Sequence, residues 1–164
     1  MSPRPPLPAV LDWRACRFSE LGVRELQFIY MARQQVFAVE QNCVYLDVDG
    51  HDEQAWHVAA WHAEHAMPLA YARLLDPGSK YAEPSMGRVI TTAAGRGTGL
   101  GRELVRRVIA LSDRVHPGQG MRISAQSRLE KFYEEAGFVA VGERYVEDGI
   151  WHTEMALMPR TGAA

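Results

Sequence analysis

The sequence predicts one α+β domain built on a mixed, largely antiparallel sheet. Three observations predict it. The chain has 164 residues, about the length of a single domain. Short strand-like segments follow one another at hairpin spacing. Between and after them, apolar residues recur at helical spacing in three places. Residues 1–10 read as a disordered arm, because "MSPRPPLP" is rich in proline and has no secretory apolar core. Residues 11–159 form the domain, and 160–164 read as a frayed tail.

Each element has its own signal. "WRACRF" reads as the first strand, and Ser19 as a cap for a helix over 20–38 in which Leu26, Ile29, Tyr30, Val36 and Phe37 share a face. "NCVYLDVDGHDEQ" is polar and reads as a long loop. "AWHVAAWHA" and "PLAYARLLD" read as a hairpin around "EHAMP", and "MGRVITT" as a fourth strand. A helix then carries Leu100, Leu104, Val108, Leu111 and Val115 on one stripe, ending near Pro117. "MRISAQ" is a fifth strand. Ser127 and Glu130 match a capping box, and Gly137 suits a left-handed helix stop. "FVAVGE" and "HTEMALM" read as two closing strands around the turn "EDG".

Composition excludes several functions. Apolar residues are 47% and charged residues 23%, with a formal charge of −2, so no broad basic face for nucleic acid is expected. No apolar run approaches the ~18–20 residues of a membrane helix. Cys16 and Cys43 read as reduced thiols of a cytoplasmic protein. His51, His57, His62 and His65 lie near Asp47, Asp49 and Asp52. Strand alternation puts His57 and His62 on opposite faces, and no metal is expected. "DVDGHDE" lacks the glutamate at position twelve of a calcium loop and reads as a surface turn.

The strongest local signal is "GRGTGLGRELVRRVIALS", with four glycines between Gly95 and Gly101 at a helix start. Helix-start amides have no partners within the helix, and missing side chains let an anion approach them. A Walker loop is excluded, because no lysine follows in the required place. The spacing Gly97, Gly99, Gly101 does not give a dinucleotide fingerprint. The pattern R/Q-x-x-G-x-G is met by Arg96, Gly99 and Gly101. A glycine turn that merely joins strand to helix is the plain alternative.

"AQSRLEKFYEEAGF" supplies a second pattern after the next strand. Together the two stretches resemble the GNAT superfamily of acyl-CoA-dependent N-acyltransferases, whose later helix carries N-x-x-A-x-x-x-Y-x-x-x-G-F. Tyr133, Gly137 and Phe138 match; Gln126 and Leu129 replace the usual asparagine and alanine. "ARQQVFAVEQNCVYLDVDGHD", "GRVITT" and "ERYVEDGIWHTEM" resemble the ElaA-type branch. The resemblance implies six to seven strands flanked by about four helices, splayed between the fourth and fifth strands. It implies acetyl-CoA as co-substrate and transfer of its acetyl group to a small-molecule or peptide amine, with no metal.

Carried over residue by residue, the resemblance implies a cofactor site at Arg96, Gly97, Thr98, Gly99, Leu100, Gly101 and Arg102. It adds the strand Val89, Ile90 and Thr91 along the pantetheine arm, with Gln126 nearby. Tyr133 is implied as the general acid for the leaving thiolate; packing beside Leu129 and Phe132 is its plain alternative. Some superfamily members place a glutamate base on the fourth strand, where this chain has Arg88. Glu40 and His57 are candidate bases, with Glu147, Asp148 and His152 behind them. Arg88 and Glu40 are candidate acceptor-binding residues. Each of these also has a structural reading, Arg88 in a salt bridge and His57 as a strand residue. The acidic run at 47–53 favours a cationic acceptor. A non-catalytic acyl-CoA-binding module on the same fold is the rival reading. A homodimer suits the fold class, though the sequence does not demonstrate one.

Overall fold

Among the described residues eight strands make two antiparallel sheets, and the gap between those sheets organises the molecule. The structure is a computed structural model and describes Pro6 and residues 10–160; most of the arm and tail lie outside it. The strands are β1 (Asp12–Arg17), β2 (Trp56–Trp61), β3 (Ala70–Leu75), β4 (Ser85–Thr91), β5 (Met121–Gln126), β6 (Val139–Ala140), β7 (Tyr145–Glu147) and β8 (Ile150–Leu157). The helices are α1 (Val23–Gln34), α2 (Leu100–Val115) and α3 (Glu130–Glu135). One sheet runs β1-β2-β3-β4. In the other, β8 pairs with β5, β6 and β7.

The core has two layers, one on each face of the first sheet. Ile29, Ala32, Val36 and Phe37 pack on Ala59, Tyr71 and Ile90. On the other face Leu104, Val105 and Val108 of α2 meet Val58, Ala70, Ala72 and Leu74, together with Tyr133 and Phe138. The alanines of β2 and β3 let helices close on both faces, which is why β3 is buried along its whole length.

β4 and β5 are both sheet edges. The amide of Arg122 donates to the Pro84 carbonyl at 3.0 Å near the start of both strands, and beyond that they are unpaired. A β-bulge turns β4: between the pairs Tyr71–Ile90 and Arg73–Gly87, Arg88 and Val89 face Ala72 alone. Arg88 sits at φ 51°, a left-handed conformation that costs a non-glycine residue about 1–2 kcal/mol.

Several expectations need correction. The first helix starts at Val23, not near 20, and the Glu25 carboxylate, rather than Ser19, accepts from the Gly22 amide at 3.0 Å. It ends at Gln34 and continues as a π-helical turn over Gln35–Glu40, in which the Gln41 amide reaches the Val36 carbonyl. The capping box at Ser127 and Glu130 does not form. Ser127 hydrogen-bonds the Thr153 hydroxyl, and Glu130 is held by Thr153 and Arg144, so 127–129 is a 3-10 turn and α3 begins at Glu130. "FVAVGE" supplies only two strand residues. β7 and β8 make a hairpin whose turn, Asp148 at φ 50° and Gly149 at φ 75°, has the geometry that Asp-Gly favours.

Gly95 is a packing glycine. A Cβ there would sit 2.7 Å from the Leu69 carbonyl oxygen and 2.9 Å from Leu100 Cδ2. Gly95→Ala should therefore destabilise the fold by about 1–3 kcal/mol. Urea titration checks this; an unchanged midpoint would contradict the close approach.

Candidate active site

The glycine turn builds an open cradle of amides. Gly97 at φ 78° and Gly99 at φ 86° use conformations natural to glycine, and Gly99 caps α2. The amides of residues 97–102 donate to no acceptor among the described residues, and Cβ atoms at Gly97 or Gly99 would meet nothing within 4 Å. Six free N–H groups thus sit in succession at the positive end of a 16-residue helix. Thr98 secures the turn by donating from its hydroxyl to the Gly95 carbonyl at 2.7 Å.

Two cavities meet at the gap between β4 and β5. One, of about 450 Å³, runs from the cradle along Val89, Ile90 and Thr91 to Tyr133. The other, of about 470 Å³, lies under the 42–54 loop and the β7–β8 hairpin. Phe37, Val89, Gln126, Leu129 and Tyr133 line both. Tyr133 is 6% exposed, and among the described residues its hydroxyl has no hydrogen-bond partner. Burial raises its phenol above the usual tyrosine value, with Arg128 working against that shift, so it stays protonated near neutral pH. Gln126 donates to Gln41 and accepts from Arg128, both at 3.0 Å, bridging the gap.

The other candidates fall in different places. Arg96 donates to the Thr91 carbonyl and pairs with Glu40, and Arg102 pairs with Glu135 at 3.0 Å, so both guanidiniums have protein partners. Glu40 lines the cradle-side cavity, where it pairs with Arg96, and not the second one. His57 is 1% exposed and lines neither cavity. Its ring nitrogens are 2.8 Å from the Tyr71 hydroxyl and the Asp52 carbonyl, so both face protein partners.

Arg88 lines the second cavity but is committed to the 42–54 loop. It donates to the Asp47 carbonyl and to Asp49 at 3.0 and 3.2 Å and lies over the Tyr45 ring. Its Nε is 2.8 Å from Asp47 Oδ1, a charge contact without hydrogen-bond alignment. This is the structural reading of Arg88.

The acidic loop is not the surface turn expected. Asp47, Asp49 and Asp52 are clamped by Arg33, Arg73 and Arg88. Arg33 has no exposure and spends all three nitrogens on Asp47 and Asp52. Three positive charges balance these three negative ones, while Glu53, the fourth acidic residue of the run, is exposed and stands outside the network. Sequence reasoning missed this network, although arginine at position 33, between Ile29 and Phe37 on one helical stripe, was a signal for it.

Burial depresses His57, with the Asp52 carbonyl opposing that shift. Burial pulls Asp52 upward, but hydrogen bonds and charge from Arg33 and Arg73 outweigh it and hold the carboxyl below its usual range. Both groups are less easily protonated folded than unfolded, so their contributions are present at high pH and lost on acidification. Tm should fall in two stages, from about pH 6.5 downward for His57 and from about pH 3.9 downward for Asp52. His57→Gln should remove the first stage. A flat wild-type Tm between about pH 7 and 5 would contradict the His57 assignment.

This arrangement is that of an acyltransferase, and the comparisons agree. A family model described as Acetyltransferase (GNAT) domain matches residues 31–159, and the chain belongs to that family. UPF0039 protein sll0451 of Synechocystis is 43% identical over 145 residues, covering 88% of this chain and 94% of that protein. Protein ElaA of Escherichia coli is 36% identical over 149 residues, covering 90% and 96%. Among solved structures, an acyl-CoA N-acyltransferase from Pseudomonas aeruginosa superposes with a TM-score of 0.85 at 39% identity, covering 90% of this chain and 99% of that one. The ElaA crystal structure superposes at 0.83 and 35% identity, with the same coverage. Among the described residues no helix is long and apolar enough to cross a membrane, and no three His, Cys, Asp or Glu side chains gather as metal ligands.

Proposed function

We propose that the chain transfers the acetyl group of acetyl-CoA to a primary amine of a small molecule or peptide, by direct attack on the thioester. The observation that carries this reading is Tyr133, at the wall shared by a cavity that leads to six free amides and a cavity that leads to solvent. The amides of residues 97–102 grip the pyrophosphate; hydrogen bonds to a charged acceptor are worth about 1.5–3 kcal/mol each. The unpaired edge at Val89, Ile90 and Thr91 takes the pantetheine arm as an added strand. That brings the thioester to the junction, with the amine entering from under the 42–54 loop. Attack forms the C–N bond, the C–S bond breaks, and Tyr133 gives its phenolic proton to the sulfur.

The Glu40–Arg96–Thr91 clasp, tying the π-helical turn to the cradle, positions the turn rather than adding free charge to the phosphate. The test is thiol release from acetyl-CoA with a panel of primary amines. Amine-dependent release is expected. CoA binding without release for any amine would support the non-catalytic module instead.

A further inference from the structure

The residues under the 42–54 loop and the last hairpin include a histidine with a fixed tautomer. His152 on β8 stands directly across from Gln126 on β5, and such partners share one face of a sheet. Gln126 lines both cavities and His152 only the one proposed for the acceptor, so the imidazole lies beside the junction on the acceptor side. Its Nδ1 is 2.8 Å from the Ile150 carbonyl oxygen. A carbonyl only accepts, so in the neutral ring Nδ1 carries the hydrogen and Nε2 the lone pair. Among the described residues no atom hydrogen-bonds to Nε2. Tyr145 stacks on the ring at 5.9 Å and 26°, which sets its plane.

We infer that His152 is the catalytic base that takes the proton from the incoming ammonium, an inference that rests on the acetyl transfer proposed above. Nε2 accepts one proton and frees the nitrogen lone pair. The C–N bond forms, the C–S bond breaks, and Tyr133 protonates the departing sulfur. The surplus proton on the new amide nitrogen returns to the Tyr133 oxygen through solvent, and His152 releases its proton to bulk water. In sum, ammonium and acetyl-CoA give amide, CoA thiol and one proton.

Tyr145 on β7 stacks on the imidazole, and the other titratable and charged groups lining its cavity are Glu147 and Asp148 at the hairpin turn, Cys43, Tyr45, Asp49 and His51 on the loop, Arg73 on β3, Lys80 ahead of β4, Arg88 on β4, and Tyr133. Burial pushes Tyr45 up to about 12, so it stays neutral across the assay range. Glu147 and Asp148 are exposed at the far end of the hairpin, beyond His152 and away from Gln126.

The experiment measures thiol release by wild type, His152→Asn and His152→Gln with two amines. One is an alkyl amine of lysine type, pKa about 10.4, the other an α-amine, about 7.7–8.0. Asparagine retains a donor toward Ile150, and glutamine retains the reach of Nε2. Both variants should bind CoA as wild type does by calorimetry. With the alkyl amine near neutral pH each should lose about 10²-fold in kcat/KM. That loss should shrink about tenfold as pH rises toward the amine's own pKa, and should be smaller for the α-amine, which sheds its proton unaided. No loss, an equal loss for both amines at every pH, or loss of CoA binding in both variants overturns the base. No release by the wild-type chain with any amine overturns the acetyl transfer, and the base with it.

Discussion

Tyr133→Phe should lower turnover about 10²–10⁴-fold while CoA affinity and thermal stability stay near wild type. The substitution removes one hydroxyl from a residue that is 6% exposed and packs edge-to-face against Phe132 and Phe138. Those contacts belong to the ring and survive in phenylalanine. Among the described residues the hydroxyl bonds to no partner, so its loss orphans none of them. A tyrosine kept only for packing would therefore be replaceable at no catalytic loss. Steady-state kinetics beside a melting curve separates the two roles: a fall in kcat at constant Tm supports the acid, and wild-type turnover removes it.

Arg33→Met should destabilise the fold by about 3–5 kcal/mol. The Arg33 guanidinium is fully buried and reaches Asp47 at 2.9 Å and Asp52 at 2.8 Å. Methionine fills much of the volume but leaves those carboxylates short of one positive charge, with Asp52 nearly as buried as its partner. For a chain of this length the loss corresponds to a Tm drop of roughly 10 °C. Adding Asp52→Asn to Arg33→Met should destabilise less than the sum of the single changes, because the two residues share one interaction. The loop that roofs the acceptor-side cavity hangs on this network, so its loss should also raise KM for the amine more than for CoA. Strict additivity of the two changes would contradict the coupling.

Much of this molecule was legible because its elements announce themselves locally. The strand-turn-helix at 85–115 carries its own glycines, and the α2 stripe at Leu104, Val108 and Leu111 points into the core as its spacing requires. Tyr133 was singled out through its motif, since spacing alone also suits packing, and it lies where the two cavities meet. Pairings across long stretches of chain were not legible. Asp47, Asp49 and Asp52 look like a solvated turn until α1, β3 and β4 bring three arginines to them. Glu40 and His57 have chemistry suited to a base; in the fold Arg96 pairs with the first, and the second is buried on β2. Ser127 satisfies a local capping rule, but a buried threonine on β8, 26 residues away, offers its hydroxyl a different partner.

The most direct measurement is a crystal structure with acetyl-CoA bound. The pyrophosphate should lie within hydrogen-bond distance of the amides of residues 97–102, with the pantetheine arm in the gap between β4 and β5 and the thioester sulfur beside the Tyr133 hydroxyl. A nucleotide bound away from that turn, or a sulfur remote from Tyr133, would contradict the account.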